Sequence, residues 1–131
     1  MDKKIKVLLV DDEADFLHPM TYFLESNGYS VSKASNGRDA LRVIKEDTPD
    51  IVFLDIILPD LDGIAVLKRI REFNQTLPVV MMSAYVKDVD FERGLRLHGG
   101  THIYYKSEDL SRALALLNDA LKIDKRPEEE K

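Results

Sequence analysis

Three aspartates, a serine and a lysine in this chain stand where apolar segments end, and they carry the groups that metal-assisted phosphoryl chemistry needs. Each follows a short apolar segment: Asp11 and Asp12 follow residues 7–10, Asp55 follows 51–54, Ser83 follows 79–82 and Lys106 follows 103–105. Carboxylate oxygens suit a hard divalent cation, whereas a hydroxyl and an ammonium group can bind phosphoryl oxygens. If the segments are parallel strands of one open sheet, their carboxyl ends meet at one edge. The residues therefore predict a single site for a metal ion and a phosphoryl group.

The segments that position these residues alternate with stretches of helical periodicity along nearly the whole chain. We identify five strand and helix pairs, beginning with an apolar run at residues 5–10 and a helix from about residue 13 to residue 27. The run at 51–54 is the most apolar and is predicted to be central, while the polar run at 30–34 is predicted to lie at an edge. This alternation predicts an α/β fold in which helices cover a parallel sheet.

Length and composition narrow the class of protein further. The 131 residues predict one domain, residues 1–122, followed by a charged tail at 123–131 that is predicted to be disordered. A net charge of -5 without clustered Lys and Arg argues against binding to nucleic acid or to anionic membranes. The chain has no cysteine, and its apolar runs are too short for a signal peptide or a membrane span. A cytoplasmic protein is expected.

Each of these polar residues also has a purely structural interpretation. Asp11 and Asp12 could cap the helix that follows them, because aspartate accepts hydrogen bonds from free amide groups at a helix start. Asp55 could be a turn residue, and Lys106 could be a solvated strand end. Independent structural uses would not place all of them at strand ends, so the joint pattern favours one functional site.

The same residues carry a family resemblance that covers nearly the whole chain. The stretch Val10-Asp11-Asp12-Glu13, the segment 51–55 with Pro59, Asp62 and Gly63 behind it, Ser83-Ala84, and Lys106 together resemble the receiver domain of bacterial response regulators. The resemblance implies a flavodoxin-like, doubly wound sheet of five parallel strands in the order 2-1-3-4-5 with five flanking helices. It also implies a phosphorylation switch in two-component signalling, in which Asp55 accepts a phosphoryl group from a sensor histidine kinase or a phosphotransfer protein.

The resemblance implies a role for each site residue. Mg²⁺ would be bound by Asp11, Asp12, Asp55 and the backbone carbonyl of Ile57, and would offset the repulsion between a carboxylate and a phosphoryl group. Lys106 and Ser83 would bind phosphoryl oxygens, and Ser83 with the residue at position 103 would form the switch. Self-phosphorylation of this kind is stoichiometric, so the chain is not expected to be an enzyme.

Three features depart from the family pattern. Ile103 occupies the position of the aromatic switch residue, and Ser107 follows Lys106 where the family usually has proline. Residues 87–98, where the fourth helix is expected, fit a helical period poorly, because Glu92 and Arg96 stand at usually apolar positions. We therefore expect a short or shifted fourth helix and an unusual path from the site to the output surface.

Several alternatives stay open at this point. A haloacid-dehalogenase-like phosphatase also uses an aspartate at a strand end, but its second aspartate two residues later is Ile57 here. A flavodoxin-like binding module would place a flavin phosphate where Asp11 and Asp12 would repel it. Within signalling, the chain could be a receiver cut from a hybrid kinase or a longer regulator, or a degenerate receiver that works as a phosphorylation-independent interaction module. We favour a stand-alone receiver with an output protein as partner, and a homodimer is also considered.

Overall fold

Four short apolar runs and one polar run form the strands of one parallel sheet. The computed structural model describes residues 3–84, 89–97, 99 and 102–122. Within them the strands are β1 (Lys6–Val10), β2 (Ser30–Ala34), β3 (Ile51–Asp55), β4 (Val79–Ser83) and β5 (His102–Tyr105). Their order is β2-β1-β3-β4-β5 and every pairing is parallel. The predicted fold is confirmed, with β3 at the centre and β2 at an edge.

Helices alternate with these strands along the chain. They are α1 (Ala14–Ser26), α2 (Gly37–Glu46), α3 (Gly63–Phe73), α4 (Val89–Leu97) and α5 (Leu110–Leu121). Side-chain oxygens of Asn36, Asp62 and Asp109 accept amide hydrogen bonds at the starts of α2, α3 and α5, as expected of residues that favour helix starts. At nine residues α4 is the shortest of the described helices. No described helix has both the length and the apolar character needed to cross a membrane.

The core lies in two layers, one on each face of the sheet, because successive strand side chains point to opposite faces. Leu8 and Val10 of β1 belong to the layer beneath α2, α3 and α4. Val7 and Leu9 belong to the layer beneath α1 and α5. Because both faces are covered, the interiors of β1, β3 and β4 are apolar. On these strands polar side chains that could do chemistry are therefore confined to the ends.

Two of the sequence predictions fall partly or wholly outside the described residues. The charged tail at residues 123–131 is one of them. The other is the start and end of the segment 87–98, of which the described part contains α4.

Candidate functional site

The carboxyl end of β1 supplies two of the predicted carboxylates. Asp11 is fully buried, whereas Asp12, one residue further on, is exposed. Oδ1 of Asp11 accepts a hydrogen bond of 2.9 Å from the backbone N–H of Glu13, the residue before α1 begins. That bond lies in the turn between β1 and α1, not inside the helix. The burial of this carboxylate therefore calls for a partner other than a helix start.

Asp55 ends β3 and lies beside these two aspartates. It is 6% exposed, and its Oδ1 accepts a hydrogen bond of 3.2 Å from the backbone N–H of Ile57. Asp11, Asp12 and Asp55 each place a carboxylate oxygen within 4.8 Å of the others. Carboxylates at this spacing repel one another unless a positive charge lies among them. The cluster could hold a metal ion that prefers oxygen ligands.

The loop that follows Asp55 is fixed by contacts with two helices. Gly63, the first residue of α3, donates its backbone N–H to the carbonyl of Ile56 at 2.7 Å, and a Cβ at Gly63 would overlap the carbonyl oxygen of Asp55. Asp60 accepts hydrogen bonds of 2.7 and 3.0 Å from the first two amide groups of α2. The backbone around Asp55 is therefore held in place by α2 and α3 together.

Lys106 follows β5 and brings a positive charge into the carboxylate cluster. Its Nζ lies 2.6 Å from Oδ2 of Asp11, and 2.9 Å from both Oδ2 of Asp55 and Oε1 of Glu13. The side chain is only 11% exposed, and Nζ lies 4.8 Å from the centre of the Phe16 ring, within the range of a cation–π contact. Lys106 is the buried partner that Asp11 requires.

Burial and charge act in opposite directions on the protonation of these groups. Burial alone would lower the pKa of Lys106, but its hydrogen bonds to Asp11, Glu13 and Asp55 raise that pKa above the ordinary lysine value. Burial raises the pKa of Asp11, and the charge of Asp55 adds to this rise, while hydrogen bonds from Lys106 and Glu13 oppose it. The ammonium group therefore stays charged and offsets part of the carboxylate repulsion.

A cavity of about 270 Å³ opens at this edge of the sheet. Its lining includes five of the predicted site residues: Asp12, Asp55, Ile57, Ser83 and Lys106. Ser83 ends β4, is buried, and pairs in register with Tyr105 of β5. The structure thus brings together the residues predicted for phosphoryl and metal binding.

Ile103, the predicted partner of Ser83 in the switch, lies away from that cavity. It pairs in register with Met81 of β4 and is half-buried. Its side chain packs against the core layer beneath α2, α3 and α4. Ile103 therefore contributes to the hydrophobic core and does not line the site.

Three residues near the site had no role in the sequence predictions. Glu13 and Phe16 contact the Lys106 ammonium, and Asp60 holds the loop after Asp55. Glu13 directly follows the two aspartates, so its position at a strand end was a usable signal. Nothing in the sequence pattern links Phe16 to Lys106 or Asp60 to α2, because both contacts depend on the path of a loop.

Comparisons with known proteins agree with this geometry. The family described as the response regulator receiver domain matches residues 7–118. The alkaline phosphatase synthesis transcriptional regulatory protein PhoP of Bacillus subtilis is 40% identical over 99 residues, and the response regulator MprA of Mycolicibacterium vanbaalenii is 36% identical over 118 residues. The solved receiver domain of Francisella response regulator 1452 superimposes with a TM-score of 0.85 at 27% identity, covering 91% of this chain and 98% of that one.

The two curated relatives are longer than the stretch they share with this chain. The match covers 76% of this chain but 40% of the Bacillus protein, and 86% of this chain but 50% of the Mycolicibacterium protein. The chain therefore spans half or less of the length of these relatives.

Proposed function

This chain belongs to the response regulator receiver domain family of two-component signalling, and we propose that Asp55 is its phosphoacceptor. The observation that carries the proposal is the position of the Asp55 carboxylate, which lines the cavity while its Oδ2 lies 2.9 Å from the Lys106 ammonium. A carboxylate oxygen of Asp55 would form the new bond to phosphorus as the phosphorus–nitrogen bond of a phosphohistidine donor breaks. The electron pair of that bond stays with the departing imidazole.

The charges around Asp55 support this proposal. A carboxylate that approaches a phosphoryl group meets electrostatic repulsion, and Lys106 is placed to reduce it. As the phosphoryl group arrives, Lys106 would exchange its hydrogen bond to Asp55 and its ion pair with Asp11 for bonds to phosphoryl oxygens. The hydroxyl of Ser83, buried in the cavity lining, would donate to another phosphoryl oxygen.

The donor set fits a divalent cation of the Mg²⁺ type. Asp11, Asp12 and Asp55 offer oxygen atoms close together, and the four carboxylates that include Glu13 outweigh the single charge of Lys106. These aspartates, with the Ile57 backbone carbonyl, would hold the ion. When bound, it supplies positive charge at the phosphoryl oxygens.

We also propose that the reaction is stoichiometric, since one Asp55 accepts one phosphoryl group. The partners would be a histidine kinase or a phosphotransfer protein as donor and an output protein or output domain that reads the phosphorylated state. The two relatives are named as a transcriptional regulatory protein and a response regulator. The second candidate for the output is therefore a domain within the same protein.

The experiment is intact mass spectrometry after incubation with acetyl phosphate, with and without Mg²⁺. We expect the wild-type protein to gain one phosphoryl group only when Mg²⁺ is present, and Asp55→Asn to gain none. Asp62→Asn is the matched control, because Asp62 caps α3 from the same loop and asparagine caps a helix equally well. A folded wild-type protein without any mass gain would overturn the proposal and favour an interaction module that works unphosphorylated.

A further inference from the structure

A hydrogen bond joins the end of β5 to α4 beside the candidate site. The hydroxyl of Tyr105 donates to a carboxylate oxygen of Glu92. The Tyr105 side chain is buried, and Glu92 is largely shielded, with its side chain 22% exposed. The other carboxylate oxygen of Glu92 lies 3.8 Å from a guanidinium nitrogen of Arg96, one turn further along α4. Glu92 is therefore held between its own helix and the sheet.

Tyr105 shares a short backbone segment with groups that line the site. It directly precedes Lys106 and pairs in register with Ser83. The backbone N–H of Lys106 donates to the carbonyl of Ser83 at 2.8 Å. Tyr105 is therefore joined to Lys106 by a peptide bond, and through it to Ser83 by a backbone hydrogen bond.

This contact accounts for two departures in the sequence. Ile103 and Tyr105 are two residues apart on one strand, so their side chains point to the same face of the sheet. The aromatic ring on that face thus stands at position 105 instead of 103. Glu92, a charged residue at a position where the family pattern expects an apolar one, provides the acceptor for the Tyr105 hydroxyl.

We propose that Tyr105 and Glu92 are positioning residues that couple the phosphoacceptor site to α4. The proposal rests on the proposed function, since its trigger is the exchange of Lys106 from Asp55 and Asp11 to a phosphoryl group. A hydroxyl–carboxylate bond is strong and directional, so a shift at the end of β5 is transmitted to α4. Coupling between two sites is reciprocal, so loss of this bond also alters the placement of Lys106.

The test is hydrogen exchange of the backbone amides of α4, before and after treatment with acetyl phosphate and Mg²⁺, with intact mass recorded on the same samples. We expect phosphorylation to change the exchange of α4 about fivefold in the wild-type protein, the size of one net hydrogen bond. Tyr105→Phe and, independently, Glu92→Gln should reduce that change to less than about twofold.

Tyr104→Phe is the matched control. It removes a hydroxyl from the same strand, but that hydroxyl donates to the carbonyl of Glu108, and Tyr104 belongs to the opposite core layer. This variant should keep the full response of α4. A mass gain of one phosphoryl group with an unresponsive α4, or with the same response in Tyr105→Phe as in Tyr104→Phe, would overturn the coupling alone. Absence of the mass gain would overturn the proposed function and the coupling with it.

Discussion

Lys106 supplies the positive charge that offsets the repulsion among the carboxylates of the site. It contacts carboxylates from the ends of two strands, Asp11 and Glu13 after β1 and Asp55 in β3. Without this ammonium group, Asp11 would be a buried charge with a carboxylate as its neighbour, which is a costly arrangement. Under the proposed function, a divalent cation would also neutralise these carboxylates and would compete with Lys106 for the same oxygens.

Removal of the Lys106 charge should strengthen the binding of Mg²⁺. In Lys106→Met the ion no longer displaces an ammonium group from Asp11 and Asp55, and a hydrogen bond to a charged group is worth about 1.5–3 kcal/mol. We expect Mg²⁺ to bind roughly tenfold more tightly by titration calorimetry, while phosphorylation by acetyl phosphate slows by about a hundredfold or more. Lys33→Met, an exposed lysine of β2, is the control. Weaker or unchanged Mg²⁺ binding in Lys106→Met would contradict the competition.

Tyr104 should make the fold sensitive to alkali. Burial, followed by the charges of Glu108 and Asp109, raises its pKa to about 12 from an ordinary value near 10. Because the folded-state pKa is the higher one, this residue contributes stability that is fully present below about pH 10 and is lost as the pH rises through about 12. Urea unfolding should show stability falling by about 1.4 kcal/mol per pH unit in that window. Tyr104→Phe should flatten the fall, and an equally steep fall in that variant would contradict this assignment.

At the scale of elements, the loop after Asp55 connects the site to α2. The first four amide groups of an α-helix lack partners within the helix. In α2 the amides of the first two helical residues donate to the carboxylate of Asp60, and the third donates to the side chain of Asn36. These three amides are satisfied, and the start of α2 and the loop after Asp55 form one hydrogen-bonded unit.

Loss of the Asp60 carboxylate should loosen that unit. Burial alone would raise the pKa of Asp60. Hydrogen bonds from the backbone amides of Gly37, Arg38 and Leu61 have the larger combined effect and lower that pKa. Because the folded-state pKa is the lower one, the stabilisation is present above about pH 4 and is lost as the pH falls through the folded-state value. Asp60→Ala should destabilise the protein by about 1 kcal/mol in urea at neutral pH, and the difference from wild type should shrink on acidification. A difference independent of pH would show that the charge is not involved.

The strands were largely predictable from the sequence, because burial on both faces makes all but the edge strand β2 an apolar run. The central place of β3 and the edge place of β2 followed from their relative polarity, whereas the complete strand order needed the family resemblance. Prediction failed for contacts that depend on the path of a loop. The bond of Asp60 to α2 and the bond of Tyr105 to Glu92 join residues that no periodic pattern relates. In the sequence Glu92 is an irregularity of α4, because its role as an acceptor depends on the position of β5.

At the scale of the whole molecule, ion pairs at the site link the ends of strands that lie in different parts of the sheet. Asp11 and Asp12 follow β1, Asp55 ends β3 and Lys106 follows β5, so groups far apart in sequence meet at one edge. A ligand that binds this edge is linked to the folding of the entire sheet, because the unfolded chain does not assemble the site. The net charge of -5 further favours the binding of a cation.

Mg²⁺ should therefore stabilise the whole fold. Saturation at about a hundred times the dissociation constant adds about 2.7 kcal/mol to the free energy of unfolding. We expect Mg²⁺ to raise the midpoint of thermal unfolding, chelation with EDTA to reverse the rise, and Asp12→Asn to abolish most of it. Asp15→Asn, an exposed aspartate in the first turn of α1, should respond like the wild-type protein. Equal responses in the two variants would mean that the ion binds elsewhere.

The most direct test of the central claim is chemical location of the phosphoryl group. Borohydride reduces an acyl phosphate to an alcohol, which marks the carboxylate that carried it, and peptide mass spectrometry then identifies the residue. After treatment with acetyl phosphate and Mg²⁺, we predict a single reduced site, at Asp55, that is missing in Asp55→Asn. A mark on Asp11 or Asp12, or no mark in a folded protein, would contradict the account.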